Sequence, residues 1–84
     1  MYKILPLSPK LKSYLKRHGL TLKFEKQAKL LTINPKHPSL NTELLEPRKH
    51  GIYSFRIDRK YRALFILRQD KSKIEVLAIT LHYK

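Results

Sequence analysis

The stretch Gly51–Tyr83, GIYSFRIDRKYRALFILRQDKSKIEVLAITLHY, decides the fold because it predicts three consecutive strands. From Tyr53–Ile57, apolar and polar residues alternate with the period of a strand that buries one face. The alternation returns in Tyr61–Leu67, and a polar break then leads into the apolar run Ile74–Leu81. Because the connections are short, these strands are expected to form an antiparallel meander.

Two arginines inside these strands suggest both a register and a site. If Arg56 lies opposite Arg62, then Ile57 pairs with Tyr61 around the three-residue loop Asp58–Lys60. This register places the aromatic residues on a core face and the arginines on an open basic face. A two-residue turn would instead send the arginines to opposite faces. Arginine is unfavourable within a sheet unless an anion meets it, so the pair indicates a site for phosphate or carboxylate.

The composition is that of one small and strongly basic domain. The chain has 84 residues, no cysteine and a formal net charge of +13. We therefore expect a single domain over residues 1–84, with neither a disulfide nor a thiolate metal site. The charge favours a polyanionic partner, such as nucleic acid, an acidic protein or a membrane surface. Solubility alone would explain lysines but not arginines inside strands.

Targeting signals are not evident in the sequence. No apolar run is long enough to span a bilayer, and Lys3 and Pro6 interrupt the opening segment MYKILPL. The expected location is therefore the cytoplasm, without a membrane partner.

The first part of the chain predicts two helices. Ser8 followed by Pro9 is typical of an N-cap and first helical turn, and Gly19 is typical of a helix end. Thr21 is expected to cap a second helix. That helix should end before Pro35, because the residue before a proline avoids helical backbone angles.

The order of the predicted elements indicates the α+β class. A short strand is expected at residues 2–5, a loop at 34–41 and another short strand at 42–45. An N-terminal helical hairpin would then pack on one face of a three- to four-stranded antiparallel sheet and leave the other face open.

Several motifs in this order resemble the RelE/ParE superfamily of bacterial type II toxins. They are HPSL, a leucine near residue 44 or 45, YSFRI, YRALF and LAITLHY, and they cover nearly the whole chain. The ending His82-Tyr83 and the length are most similar to the YoeB branch, whose members are ribosome-dependent mRNA endonucleases. The resemblance implies a RelE-like microbial ribonuclease-type fold and an RNA-cleaving toxin paired with an antitoxin.

The chemistry of RNA cleavage selects candidate residues. Without a metal, cleavage needs a base for the 2′-hydroxyl, cations around the phosphorane and an acid for the 5′-oxygen. Arg62 is the first candidate cation because its fork matches two phosphate oxygens, and Arg56 is the second. Alternatively, Arg62 extends from an edge strand into solvent, or it pairs with Glu43. A histidine side chain ordinarily changes its charge near neutral pH, which suits the acid, and the place of His82 resembles the ending of YoeB-like toxins.

The resemblance implies an acidic residue as the base, and two glutamates compete for this role. Counting back from Gly51 without a gap places Glu43 on the position of the catalytic glutamate, whereas Glu46 requires a shifted turn. An ordinary surface role is the alternative for either. The chain also departs from the pattern, because Ser54 stands where RelE proper has a lysine and Phe55 where YoeB-like chains have a second arginine.

Lysines on the two predicted helices form a basic surface that can steer a polyanion. The residues assigned to RNA contact are Lys10, Lys12, Lys23, Lys26, Ser54 and Tyr83. The expected partners are the ribosome, mRNA and a cognate acidic antitoxin that folds on binding. No cofactor is expected, and no metal, because the histidines lack ligand spacing.

Two other functions stay open at the level of sequence. One is a ParE-like toxin that poisons DNA gyrase without nuclease activity, and the other is a basic RNA-binding module. The set of Glu43, Arg56, Arg62 and His82 distinguishes the nuclease from the gyrase-poisoning toxin, because a gyrase binder has no need of an acid and a base.

Overall fold

The computed structural model describes residues 2–68 and 72–81. Within these residues, two α-helices and five strands follow one another. They are β1 (Lys3–Ile4), α1 (Pro9–Arg17), α2 (Thr21–Ile33), β2 (Glu43–Leu44), β3 (Ile52–Arg56), β4 (Tyr61–Leu67) and β5 (Lys73–Leu81), with short 3-10 turns at Pro38–Leu40 and Arg48–His50.

The five described strands form one sheet in the order β1-β5-β4-β3-β2. The strands β2 to β5 are antiparallel neighbours, whereas β1 runs parallel to β5. The predicted α+β class is confirmed, but the sheet is five-stranded and mixed rather than three- to four-stranded and antiparallel. The difference arises at the edges, because the two-residue strands β1 and β2 both join the sheet.

The hairpin of β3 and β4 has the predicted register. Arg56 lies opposite Arg62, and the Ile57 N–H donates to the Tyr61 carbonyl at 2.9 Å. The three-residue loop is therefore confirmed and the two-residue turn is excluded. Residues that lie directly opposite each other share a face of the sheet, so both arginines belong to one face.

The carboxylate of Asp58 holds this turn together. Its Oδ1 accepts hydrogen bonds from the backbone N–H groups of Lys60 at 2.8 Å and Tyr61 at 2.9 Å, and its Oδ2 lies 3.4 Å from the Nζ of Lys23 on α2. Burial raises the pKa of Asp58, but the hydrogen bonds and the lysine outweigh this effect, and the pKa is lower than usual. The turn is thus tied to the helical layer.

The two helices cover one face of the sheet. Phe24 of α2 contacts Phe55 with ring centroids 5.9 Å apart, and Phe55 contacts Phe65 at 5.8 Å. The buried apolar side chains are Leu15, Leu20, Phe24, Ala28, Leu31, Leu40, Phe55, Ile57, Ala63, Phe65, Ile74 and Val76. Neither α-helix packs on the opposite face, which we call the open face; it carries Arg56 and Arg62.

The start of α1 agrees with the prediction from the sequence, whereas the start of α2 does not. The Oγ of Ser8 accepts a hydrogen bond from the Leu11 N–H at 3.2 Å, so the predicted cap of α1 is present. In α2, Thr21 is the first helical residue and Leu20 occupies the cap position without a side-chain hydrogen bond. Burial explains this shift, because the Leu20 side chain is in the core while its carbonyl accepts from the Phe24 N–H at 2.8 Å.

Candidate functional site

Four of the predicted site residues meet on the open face near the hairpin turn. Glu43 of β2 lies opposite Ser54 of β3, and Arg56 of β3 lies opposite Arg62 of β4. We call Glu43, Ser54, Arg56 and Arg62 the open-face cluster. The cluster forms because three neighbouring strands each place their polar positions on the same face.

Arg62 is buried in this cluster, with 5% of its surface exposed. Its Nε and Nη2 donate to the Ser54 Oγ at 3.0 and 2.8 Å, and Nη2 also donates to the Asn41 carbonyl at 2.6 Å. Burial lowers the pKa of Arg62, the Glu43 carboxylate opposes this effect, and the nearby Arg56 adds to it. The group stays charged at neutral pH, because arginine is not deprotonated in proteins.

One nitrogen of this guanidinium is left without a partner. The Nη1 of Arg62 is buried and makes no hydrogen bond within the described part of the chain. A buried donor without an acceptor is costly, and an incoming oxyanion would satisfy it. Because Nη1 is inaccessible, an anion would reach it only after a neighbouring side chain moves.

Glu43 lies at the boundary between this buried charge and solvent. Its Oε1 is 3.6 Å from the Arg62 Nη2, and the Glu43 side chain is 52% exposed against 6% for Arg62. The carboxylate therefore faces Arg62 on one side and solvent on the other.

Arg56 offers the accessible positive charge of the cluster. Its side chain is exposed, while its backbone carbonyl accepts a hydrogen bond from the Gln27 Nε2 at 2.9 Å. A phosphate that approaches the open face therefore meets the Arg56 guanidinium first, with the charge of Arg62 behind it.

Glu46 is not part of the cluster. It follows β2, and its Oε1 lies 3.8 Å from the Arg48 Nε, with side chains 80% and 77% exposed respectively. The structure thus brings Glu43, but not Glu46, next to Arg62.

Of the residues predicted to contact RNA, Ser54 belongs to the cluster, whereas the four lysines do not. Ser54 is buried, and its hydroxyl is bonded to Arg62. His82 and Tyr83 lie outside the described residues. The four lysines are exposed and belong to the helical layer, on the other side of the sheet from the cluster: Lys10 and Lys12 on α1, Lys23 and Lys26 on α2.

Sequence reasoning missed two residues that support the cluster. Asn41 has a left-handed backbone with φ 45°, which directs its carbonyl to Arg62. Gln27 is 8% exposed, and its Nε2 donates to the carbonyls of Ser39 at 3.1 Å and Arg56 at 2.9 Å. The signal for Gln27 was present, because an amide on the apolar face of a helix needs buried acceptors.

Neither a metal centre nor a membrane span is found in residues 2–68 and 72–81. These residues contain no group of three or more histidine, cysteine, aspartate or glutamate side chains that could hold a metal ion. Among the same residues, no helix has both the length and the apolar character that crossing a membrane requires.

Comparisons with known proteins identify the fold. No protein-family model matches the sequence, and no curated protein matches it significantly. The structure resembles a YoeB/ParE toxin from Agrobacterium tumefaciens with a TM-score of 0.72, at 19% identity over 99% of this chain and 100% of the other. It also resembles the YoeB dimer from Staphylococcus aureus, with a TM-score of 0.70 and 20% identity over 98% and 95% of the two chains.

A third similar structure contains a second protein. It is the heterotetrameric YoeB–YefM toxin–antitoxin complex from Staphylococcus aureus, with a TM-score of 0.69 and 20% identity over 99% of both chains. The chain therefore has the fold of RelE/ParE-type toxins of the YoeB kind.

Proposed function

We propose that this protein is the toxin of a type II toxin–antitoxin system and cleaves mRNA on the ribosome. The observation that carries the proposal is the open-face cluster, in which a half-exposed carboxylate and two arginines lie together on a YoeB-like fold. A carboxylate can accept a proton, and adjacent cations can stabilise the charge of a phosphorane.

The proposed reaction follows from these groups. The Glu43 carboxylate takes the proton of the 2′-hydroxyl, and the resulting oxyanion attacks the adjacent phosphorus. Arg56 contacts the phosphate oxygens of the pentavalent intermediate, while Arg62 adds positive charge from within the sheet. The bond to the 5′-oxygen then breaks, His82 supplies the proton for that oxygen, and a 2′,3′-cyclic phosphate remains.

The remaining site residues have supporting parts in this proposal. Ser54 positions Arg62 through its hydroxyl. Tyr83 contacts the RNA next to the cleavage site, and the four lysines contact RNA further away. The cluster lies on an open sheet face rather than in a cleft, so the ribosome is needed to hold the mRNA in a reactive geometry. The partners in this proposal are the ribosome, mRNA and an acidic antitoxin. The site of action is the cytoplasm, where translation takes place.

The first prediction tests cleavage and the role of Arg56. Brief induction should create new mRNA 5′ ends within codons, and Arg56→Ala should lower the cleavage rate by roughly 10²–10³-fold because the phosphorane loses a cation. Arg17→Ala removes the same charge at an exposed position of α1 and serves as the matched control. Growth arrest without RNA cleavage, together with inhibited DNA supercoiling, would instead support a gyrase-poisoning toxin.

The second prediction separates the two candidate bases. In single-turnover cleavage on ribosomes, Glu43→Gln should remove the acidic limb of the pH–rate profile, whereas Glu46→Gln should retain it. His82→Gln should flatten the alkaline limb and slow cleavage by roughly 10²–10⁴-fold, as expected for a general acid. If Glu46→Gln removed the acidic limb and Glu43→Gln retained it, the base would be Glu46, in the connection after β2.

A further inference from the structure

Arg56 is the last residue of β3 and lies beyond the part of that strand that β2 covers. Glu43 of β2 pairs with Ser54 of β3. Two further residues in this register would place Asn41 opposite Arg56. In the described chain this pair does not form, because the Asn41 backbone is left-handed and its N–H donates to the Pro38 carbonyl at 3.1 Å. The Arg56 carbonyl is therefore left without the strand partner that the register would have supplied.

The Arg56 carbonyl points to the side of this missing partner. Along an antiparallel strand, the N–H and C=O groups of successive residues point alternately to the two neighbouring strands. On the β4 side of the hairpin, the Ile57 N–H donates to the Tyr61 carbonyl at 2.9 Å. The backbone groups of Arg56, the residue before Ile57, therefore point towards β2. A partly buried carbonyl in this position needs another donor.

The side chain of Gln27, on α2, supplies the missing donor. Its Nε2 donates to the Arg56 carbonyl at 2.9 Å and to the Ser39 carbonyl at 3.1 Å, and the residue is 8% exposed. A primary amide has two N–H groups, so one nitrogen can serve both carbonyls. Because Ser39 belongs to the 3-10 turn before β2, Gln27 joins the end of β3 to the segment that leads into β2.

The position of the Arg56 guanidinium depends on this backbone. The side chain is exposed, and it makes no hydrogen bond or ion pair with another described residue. It lies opposite Arg62, and like charges that face each other across a strand pair repel. A fixed carbonyl holds the peptide unit from which the side chain extends, so the hydrogen bond from Gln27 resists this repulsion.

We propose that Gln27 is a positioning residue that holds Arg56 where it can contact the phosphate. The amide of Gln27 takes the place of the β2 partner that Arg56 lacks. It thereby sets the distance between the Arg56 guanidinium and the charge of Arg62. Misplacing a reacting group by about 1 Å can lower a rate by about 10²-fold. The effect on cleavage rests on the proposed function, whereas the placement of Arg56 does not.

Gln27→Met tests this role, because it keeps an unbranched side chain of similar length and removes both donors. In single-turnover cleavage on ribosomes, the maximal rate should fall roughly tenfold or more, whereas the half-saturating toxin concentration should change less than about twofold. The control is Ala28→Gly, which weakens α2 at the adjacent buried residue without removing a side-chain donor, and it should retain the rate. Equal slowing in the two variants would show a general loss of stability and overturn the proposal, as would an unchanged rate in Gln27→Met.

A double variant shows whether Gln27 acts through Arg56. Added to Arg56→Ala, Gln27→Met should slow cleavage by less than about a further twofold, because the group that Gln27 positions is gone. Losses that multiply would overturn the proposal. If Gln27→Met does not fold, Gln27→Asn repeats both measurements, since its amide stays polar but is one methylene too short to reach the Arg56 carbonyl.

Resonances of Arg56 test its placement without RNA. Gln27→Met should move the carbonyl ¹³C resonance of Arg56, which loses a hydrogen bond, and also the Nε–Hε resonance of the same residue. Ala28→Gly should move neither. Unmoved Arg56 resonances in Gln27→Met would overturn the proposal. If the unchanged chain does not cleave mRNA, only the proposed function is rejected, and these resonances decide the role of Gln27.

Discussion

Arg62 donates hydrogen bonds to two other residues of the protein. These bonds change the expected effect of an Arg62 substitution on stability. From the sequence, Arg62 is the first candidate cation for a phosphate. In the structure, however, the guanidinium is the donor for the Ser54 hydroxyl and the Asn41 carbonyl. Its role in holding the cluster together is therefore separable from the direct phosphate contact proposed for Arg56.

The third prediction concerns the stability of the Arg62 variant. Arg62→Ala should lower the free energy of unfolding by roughly 1–3 kcal/mol, because the buried Ser54 hydroxyl and the partly buried Asn41 carbonyl lose their donor. Arg56→Ala should change it by about 0.5 kcal/mol or less, as is usual at an exposed position. Urea denaturation of both variants measures the difference. An Arg62→Ala protein as stable as the unchanged chain would show that the hydrogen bonds of Arg62 contribute little to the fold.

The residues of the cluster and their shared face could be predicted from the sequence, but the hydrogen-bond partners of Arg62 could not. Strand periodicity and the hairpin register put Arg56 and Arg62 on one face, as predicted. The choice of Ser54 and Asn41 as partners for Arg62 depends on a side-chain rotamer and on the left-handed backbone at Asn41. Neither follows from residue spacing, so sequence alone left the paired and the phosphate-binding roles of Arg62 open.

Among the secondary-structure elements, those with a clear periodic pattern of apolar and polar residues could be predicted from the sequence. β3 and β4 have alternating patterns, and the loop between them has the predicted length. β1 and β2 have only two residues each, which is too short for a periodic pattern. Their pairing depends on where the preceding and following segments run. The start of α2 moved by one residue because burial of Leu20 prevailed over the capping tendency of Thr21.

The fourth prediction concerns the hairpin turn. Asp58→Ala should lower the free energy of unfolding at neutral pH by about 1 kcal/mol or more, because two backbone N–H groups lose their acceptor. Since the pKa of Asp58 is lower in the folded than in the unfolded protein, its charge stabilises the fold above the unfolded value of about 4. This contribution should disappear as the pH falls through the lower, folded pKa.

Urea midpoints measured from neutral pH down to about pH 3 test this dependence across the unfolded pKa of aspartate. Lys23→Ala is the control for the exposed ion pair, and it should lower the free energy of unfolding by less than about 1 kcal/mol. An Asp58→Ala variant whose deficit stays constant across that range would mean that the carboxylate's charge does not stabilise the turn.

Over the whole molecule, positive charge lies on both sides of the sheet. The exposed lysines of α1 and α2 belong to the helical layer, whereas the arginine cluster occupies the open face. A protein placed among ribosomal RNA would meet phosphates on both sides at once. The lysines are therefore expected to contribute to affinity and the cluster to contribute to chemistry.

The fifth prediction separates these contributions. Replacing Lys10, Lys12, Lys23 and Lys26 together by alanine should weaken ribosome binding. It should also reduce the slope of log affinity against log salt by about one for each lysine that binds a phosphate. The positions of the mRNA cuts should not change. The control replaces four other exposed lysines, Lys3, Lys29, Lys49 and Lys60, and a shift of the cut sites in either variant would place those lysines near the reaction.

The parallel pairing of β1 with β5 has a consequence for the time at which the protein folds. The Leu5 N–H donates to the Ile74 carbonyl at 2.9 Å, so the first strand is held by the last strand of the described chain. β5 lies between β1 and β4 in the sheet. The five strands therefore cannot all pair while β5 is still inside the exit tunnel of the ribosome. Nascent chains stalled before β5 emerges should be sensitive to protease, and chains extended by a linker should be resistant. The complete sheet therefore forms only after β5 has left the ribosome.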